Sequence, residues 1–512
     1  MNQISRREFL KLGAAGAAGA VISGCRGVAK TRDYSAREIE ELLRHYEHQP
    51  EKLAAARFLA GETRRRVAQL FPPGTPEQAQ HRALTQEVLD VDAVTAVELS
   101  DNIEYASLAR QQFPWAQELD ARTFTQYVLP YRNGTMPVLQ FAKPHIHWRE
   151  LMLTRTGWKE LQHHYGVKTS WNEKQETLDG LANAYKAANK PEGKRAALTQ
   201  AIRYLNTDLW AAKEGIEYKR SNAQEKTMEQ ILEDKGGRCS DLTHFGLMVL
   251  RAHGIPATTV RIPAWAKFDD NHQVLGVKHD NDWLLFDGLR PVPETNASYW
   301  YQMDGAVPKV YVEEFGTWDQ ASKLVAENRK EHPWHIGFYL GTRSCLDLTR
   351  RFTKTIDIPV SGLEPNKRAY VSVLNNFCSD GLAAVAVENA DSQGRAVFKD
   401  MGCRNDILYF TGKDAVLARD NGTSEVLRGS GMLGHYTLDV APSARNELCK
   451  WAHGRFGNPE LAISTGSGKG VPLELEPNTV YAFRITTDSD SGPVAFWDRP
   501  FVPRKDRTVE KL

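Results

Sequence analysis

Gly236-Gly237-Arg238-Cys239-Ser240-Asp241 opens the stretch that decides the reading, and Trp283-Leu284-Leu285-Phe286-Asp287-Gly288 closes it. Between them Leu242, Phe245, Val249 and Ala252 recur at spacings of three and four, the pattern of an amphipathic helix. His253-Gly254-Ile255-Pro256 ends that helix, with Gly as its C-terminal stop and Pro just beyond. Cys239 therefore falls at a helix N-terminus, where free backbone amides and the helix dipole favour an anion. A thiolate is such an anion, and this placement lowers a cysteine's pKa.

Ala257 to Trp265 is β-branched and extended, and His272 to Lys278 followed by Trp283 to Asp287 reads as a hairpin around Asp280-Asn281. That turn pairs His279 with Asp282 and Val274 with Asp287. Side chains alternate faces with period two, so His272 and Asp287 lie diagonally on one face, their Cβ atoms roughly 7 Å apart. An aspartate so placed can fix the tautomer of an imidazole whose other nitrogen faces a thiol. A lone cysteine beside a helix is more often a small buried hydrophobe; the order and the helix-strand-strand context carry the reading. His244 and His279 are expected to be surface or packing residues. His145, His147 and Trp148 cluster locally without a third ligand at usable spacing, so no metal and no cofactor is expected.

Outward from this centre, residues 31 to 120 are dense in Glu, Ala, Leu and Arg and predict helices, with Ile39, Leu42 and Leu43 sharing a face and Arg64-Arg65-Arg66 on a solvated one. Tyr127-Val128-Leu129-Pro130-Tyr131-Arg132 interrupts the pattern, and residues 174–235 return to helix. After about residue 345 the texture changes to short β runs such as Tyr370–Leu374, Ala383–Val387, Ala396–Phe398 and Val480–Thr486, separated by Gly, Asn, Asp and Ser. Such spacing predicts a β-sandwich or two small ones, a support or adhesion module. The chain is thus α+β: a helical region over 25–120, a core over 121–345 and a β-rich part over 346–512. A chain ending near residue 345 is expected to fold apart from the rest.

At the N-terminus, Arg6-Arg7 precede a short Ala- and Gly-rich apolar stretch ending at Ile22, too short to span a membrane, which needs roughly 20 apolar residues. Residues 1–24 read as a twin-arginine export signal. Ile22-Ser23-Gly24-Cys25 resembles a lipoprotein cleavage box, with Cys25 the acylated first residue of the mature chain. Arg26 after it leans towards the outer membrane, so the expected place is the cell envelope, lipid-anchored, at the outer membrane or periplasmic face. The 512 residues carry 65 basic and 64 acidic side chains, a net charge of +1, which excludes the basic footprint of a nucleic-acid binder. An oxidising compartment permits disulfides among Cys345, Cys378, Cys403 and Cys449, and the sequence does not choose a pairing.

Cysteine at a helix start, Leu250 to Pro256, a strand, His272 and Trp283 to Asp287 together resemble the transglutaminase-like superfamily. The likeness is closer to a branch of exported Bacteroidetes proteins at Tyr127–Arg132, Pro263-Ala264-Trp265, Trp283–Gly288, Asp347-Leu348-Thr349 and Phe398–Gly402, and so covers roughly residues 120 to 415. The resemblance implies a papain-like core with a Cys-His-Asp triad at Cys239, His272 and Asp287. It implies a thiol enzyme acting on amide bonds of a protein or peptide, possible cell-wall peptides included, through a thioacyl-enzyme. Cleavage as a peptidase or amidase leads; transamidation of glutamine, or surface binding on a retired core, are the rivals. Many relatives follow the histidine with Ala-Trp or Thr-Trp, whereas Gln273 and Val274 stand here, so the acyl-donor groove is expected to differ.

Overall fold

The computed structural model describes residues 36–69, 96–131, 146–219, 226–267, 271–280, 282–292, 306–314, 345–375, 382–411, 414–429, 431–439, 445–452, 455–456, 461–463, 471–487 and 494–512. The signal stretch, Cys25, His145 and Cys378, and the side chains of Arg64 to Arg66, lie outside what is described.

The first half is helical. Helices α1 (Ala36–His45), α2 (Pro50–Gln69) and α3 (Ala96–Gln112) pack through Leu42, Leu59, Ile103 and Ala106. Asp120 caps α4 (Ala121–Tyr127) by accepting the Thr123 amide at 2.9 Å. The segment after α4 is irregular and buried, so its carbonyls need donors. Two buried arginines supply them. Arg149, from α5 (Trp148–Leu153), donates to the carbonyls of Val128 at 2.5 Å and Arg251 at 2.7 Å and to the Asn102 side chain at 2.9 Å. Arg251 donates to the carbonyls of Tyr127 at 3.2 Å and Ala257 at 2.9 Å. The guanidinium fork suits this task because it offers five fixed donors. Burial, then the neighbouring Arg251, holds Arg149 well below its ordinary pKa.

His147 caps α5 by accepting the Arg149 amide at its Nδ1, 3.2 Å away. Its ring stacks 5.7 Å from those of Tyr105 and Trp148, so this histidine has a packing role. Helices α6 (Arg155–Tyr165), α7 (Trp171–Ala187) and α8 (Pro191–Arg203) follow, and α8 runs directly into a π-helix, Tyr204–Lys213. Then come α9 (Met228–Asp234) and α10 (Cys239–Ala252), which starts and stops where the sequence places it. Gly254 closes α10 at φ 71°, and a Cβ there would stand 2.5 Å from that of Ala116.

A five-stranded antiparallel sheet lies beside α10. Its strands are β1 (Ala257–Ile262), β2 (His272–His279), β3 (Asp282–Phe286), β4 (Tyr311–Glu313) and β5 (Cys345–Asp347), in the order β3-β2-β1-β4-β5. The hairpin register is the expected one, with His279 opposite Asp282 and Leu275 opposite Phe286. Both faces are covered. Leu275, Val277, Leu284 and Phe286 join Phe245 and Met248 of α10, while Val274, Trp283 and Leu285 face a second cluster with Tyr127, Val310, Leu348 and Phe352. His244 is buried within α10, a packing residue whose pKa burial, then Arg251, pushes down to about 4.

Beyond the core the chain is antiparallel β, in two layered units. In one, Thr355–Val360 pairs Ala396–Gly402, and this pair shares a core with the sheet that contains Arg368–Leu374, Leu382–Asn389, Ile407–Thr411 and Asp414–Ala418. In the other, Gly434–Leu438 pairs Val471–Leu475 and packs on the sheet built around Arg445–Ala452 and Tyr481–Thr487. Cys403 and Cys449 are buried thiols and form no disulfide. The boundary expected at residue 345 falls inside the core sheet, because β5 is its edge strand and pairs β4. Core segment 306–311 also bonds into the β region: Gly402 donates to the Pro308 carbonyl at 3.0 Å and the Tyr311 hydroxyl to the Val385 carbonyl at 2.9 Å.

Candidate active site

Cys239 is the first residue of α10 and partly exposed. As a first-turn residue its amide has no intrahelical acceptor and stays available to an incoming oxygen. The entry to the helix is held by buried Asp241, which accepts the amides of Arg238 and Lys226, both at 2.8 Å. This carboxylate in the first turn also complements the helix dipole. A Cβ at Gly237 would stand 2.6 Å from the Asp241 Cβ, so the approach requires glycine.

Two contacts bring the hairpin to that helix end. One turn after the cysteine, the Thr243 hydroxyl donates to the Gln273 carbonyl at 3.0 Å, beside His272. Gly288, next to Asp287, lies so close to α10 that a Cβ would meet the Leu242 carbonyl at 2.2 Å. His272 then bonds through Nε2 to the Asp287 Oδ1 at 2.8 Å. With Nε2 engaged by Asp287, Nδ1 is the ring nitrogen left for Cys239, which lines the same cleft. Trp265 covers the imidazole, ring centroids 5.9 Å apart and planes tilted by 33°. The three residues singled out from the sequence thus stand in series in one cleft of about 210 Å³, with Trp265, Tyr218 and Arg290 also on its walls. A larger polar cleft of about 550 Å³, between Lys267, Asp406, Arg499 and Glu510, holds no thiol.

Two supporting residues have no signature in the sequence. Asn206, on the π-helix, donates to the carbonyls of Arg290 at 2.7 Å and Asp287 at 3.3 Å and accepts the Leu289 amide at 2.8 Å. It fixes the turn after Asp287, where Leu289 takes the left-handed φ of 59°. π-Helical turns commonly mark functional sites, and this one aims an amide at the loop that carries Asp287. Asn375, from the β region, donates to the Trp265 carbonyl at 3.2 Å, while Ala264 sits in the core of the first β unit. The β region therefore holds the residue that covers the histidine. Among the described residues, no group of three or more His, Cys, Asp or Glu stands close enough to share a metal ion.

Burial alone would lower the pKa of His272; the hydrogen bonds to Asp287 and then Cys239 outweigh it and push the imidazole up to about 9. The folded value lies above the unfolded one, so the bound proton favours the folded state. That stabilisation is complete below about pH 6.5 and is lost as pH rises through about 9; the shift corresponds to roughly 3 kcal/mol. Asp287→Asn removes the largest upward cause. The melting temperature of the parent should therefore exceed that of Asp287→Asn clearly at pH 6, with the gap closing by pH 10. A gap that is constant with pH would refute the coupling.

A thiol in one cleft with an imidazole that is hydrogen-bonded to a carboxylate is the arrangement that thiol acyl-transfer chemistry uses. Residues 181–288, which contain all three, match the family model of the transglutaminase-like superfamily. That stretch is a transglutaminase-like domain within the longer chain. Residues 3–23 match the twin-arginine translocation signal, which implies export across the cytoplasmic membrane. No helix among the described residues is long and apolar enough to cross a membrane. No curated protein matches the chain. Among solved structures, a Cytophaga hutchinsonii protein described as a candidate cysteine protease is similar at 12% identity and a TM-score of 0.16, over 52% of this chain and 55% of its own. Red sea bream transglutaminase is similar at 10% identity and a TM-score of 0.19, over 65% of this chain and 74% of its own. At these TM-scores neither likeness bears on activity, and the chain spans only about half the length of the first.

Proposed function

We propose that the chain is an exported thiol enzyme that cleaves amide bonds of proteins or peptides, as a cysteine peptidase or amidase. The observation that carries this is that Cys239, at the N-terminus of α10, shares one cleft with His272, which is hydrogen-bonded to Asp287. In the proposed cycle, Cys239 loses its proton to His272 and its sulfur attacks the amide carbon. The Cys239 amide receives the developing oxyanion. His272 then gives its proton to the departing amine, leaving a thioacyl-enzyme, and Asp287 holds the ring throughout. Water resolves the thioacyl-enzyme and releases the acid.

Transamidation would share every step but the last, with an amine in place of water. An acceptor site that excludes water would be needed for the amine to compete. The Asp287 side chain at the cleft is 27% exposed, which favours water. Incubation of the mature protein with casein and a fluorescent primary amine separates the two. New peptide termini or released ammonia, without label on casein, is the expected result. Label on casein without new termini, with one ammonia released for each label attached, would make the enzyme a transferase, and neither label nor cleavage nor ammonia would leave a binding protein on a retired core.

We also propose that Cys25 anchors the mature chain to the envelope through lipid, because it follows Ser23-Gly24 directly after the exported signal. Cys25→Ala should move the protein from the membrane to the soluble periplasmic fraction. Membrane retention of that variant through a carbonate wash would count against lipidation.

A further inference from the structure

Arg290 stands on the wall of the cleft that holds Cys239, three residues beyond Asp287. Its guanidinium carbon lies 5.9 Å from the ring centre of Tyr218, itself 42% exposed. Among the described residues no carboxylate comes within ion-pair distance of Arg290, and the carboxylate of the cleft, Asp287, is engaged by His272. The backbone beneath it is firmly placed. Its carbonyl accepts from Asn206 at 2.7 Å and from the Thr207 hydroxyl at 2.8 Å, and its amide donates to the Asp287 carbonyl at 3.2 Å. The same turn carries the catalytic carboxylate, so the position of Arg290 is fixed relative to His272.

A guanidinium with no ion-pair partner among the described residues, at the wall of a small cleft, suits a carboxylate, which it can take through two parallel hydrogen bonds. The aromatic ring of Tyr218 beside it offers an apolar surface to the rest of the substrate. We infer that Arg290 binds a carboxylate on the acyl substrate, so that the substrate class is a peptide amide with a free carboxylate close to the attacked carbonyl. This deepens the reading of Cys239 as the attacking thiol and is independent of whether water or an amine completes the reaction. A chain terminus and an acidic side chain both offer that carboxylate.

Iodoacetate and iodoacetamide test it without knowledge of the natural substrate. Each alkylates by one displacement, in which the thiolate sulfur bonds to carbon and iodide leaves; the two reagents differ only in carboxylate against amide. Arg290→Ala should slow alkylation of Cys239 by iodoacetate about fivefold, the size of an exposed ion-pair effect, and alter the iodoacetamide rate by less than about twofold. Arg290→Lys should recover part of the loss. The iodoacetamide rate also serves as the check on folding. Equal slowing of both reagents, or an unchanged iodoacetate rate, overturns the assignment. If Cys239 reacts with neither reagent faster than it does in urea, the attacking-thiol reading falls as well.

Protection of Cys239 from iodoacetamide then separates the sources. Benzoylglycine offers a terminal carboxylate, the amide of N-acetylglutamic acid a side-chain one, and benzoylglycinamide none. Arg290-dependent protection by the first assigns a chain terminus, and by the second an acidic residue. Protection by neither, or equally by benzoylglycinamide, counts against a carboxylate site.

Discussion

With Cys239 replaced by alanine, amide cleavage is expected to fall by a factor on the order of 10⁴ to 10⁶, the range for loss of a triad nucleophile. Without the sulfur no thioacyl-enzyme forms, and what remains is the contribution of the cleft and its amide donor to direct water attack. The substitution should leave the fold intact. Cys239 is partly exposed and begins α10, and alanine is the best helix former. Of the other thiols whose side chains are described, Cys403 and Cys449 are both buried, and burial pushes the Cys403 pKa up, so they interfere little. The measurement is the rate of new peptide termini on casein, with the melting temperature as control. His272→Ala should match the loss, since the residues act as a unit. Turnover by Cys239→Ala at even a hundredth of the parent rate would place the nucleophile elsewhere.

The site was legible in the sequence to the extent that local rules govern it. Cys239 was placed by the apolar spacing of α10 and its Gly-Pro stop, and the hairpin by strand alternation about Asp280. The register followed, and with it the approach of His272 to Asp287. What supports the site is non-local. Asn206 lies 81 positions from Asp287 and Asn375 lies 110 from Trp265, and no periodicity links them. The buried arginines were equally hidden, because Arg is ordinarily a surface residue and only the buried carbonyls of the irregular segment after α4 make it a core one here. In the β region the alternation of Arg368–Leu374 is plain, yet the pairing of Gly434–Leu438 with Val471–Leu475 spans a gap that alternation cannot specify. Thiol state at Cys403 and Cys449 depends on those pairings too.

A chain ended at residue 344 is expected to yield no folded protein, contrary to independent folding of the core. The cut removes the β5 edge, so β4 keeps β1 on one side but loses its outer partner and becomes an open edge to other chains. It removes Leu348 and Phe352, which pack with Val307, Val310 and Val312 of the core. It removes the first β unit, in whose core Ala264 and Ala306 are buried. Lys309, 3% exposed, loses the Asp347 carboxylate and the Lys399 carbonyl at 2.5 and 2.6 Å, leaving a buried charge without its partners. Uncovering three valines at roughly 1.5 to 3 kcal/mol each approaches the whole stability of an ordinary domain, about 5 to 15 kcal/mol. The cost also reaches the chemistry, because the Trp265 carbonyl loses Asn375 and the ring over His272 loses its anchor. The comparison is soluble yield and iodoacetamide reactivity of Cys239 in chains ended at 344 and at 429. The shorter should be insoluble or protease-sensitive, and the longer, which keeps the first β unit, should retain more of the fold. A soluble chain ending at 344, with cooperative unfolding and Cys239 alkylated at the full-length rate, would show that the β region is dispensable to the site.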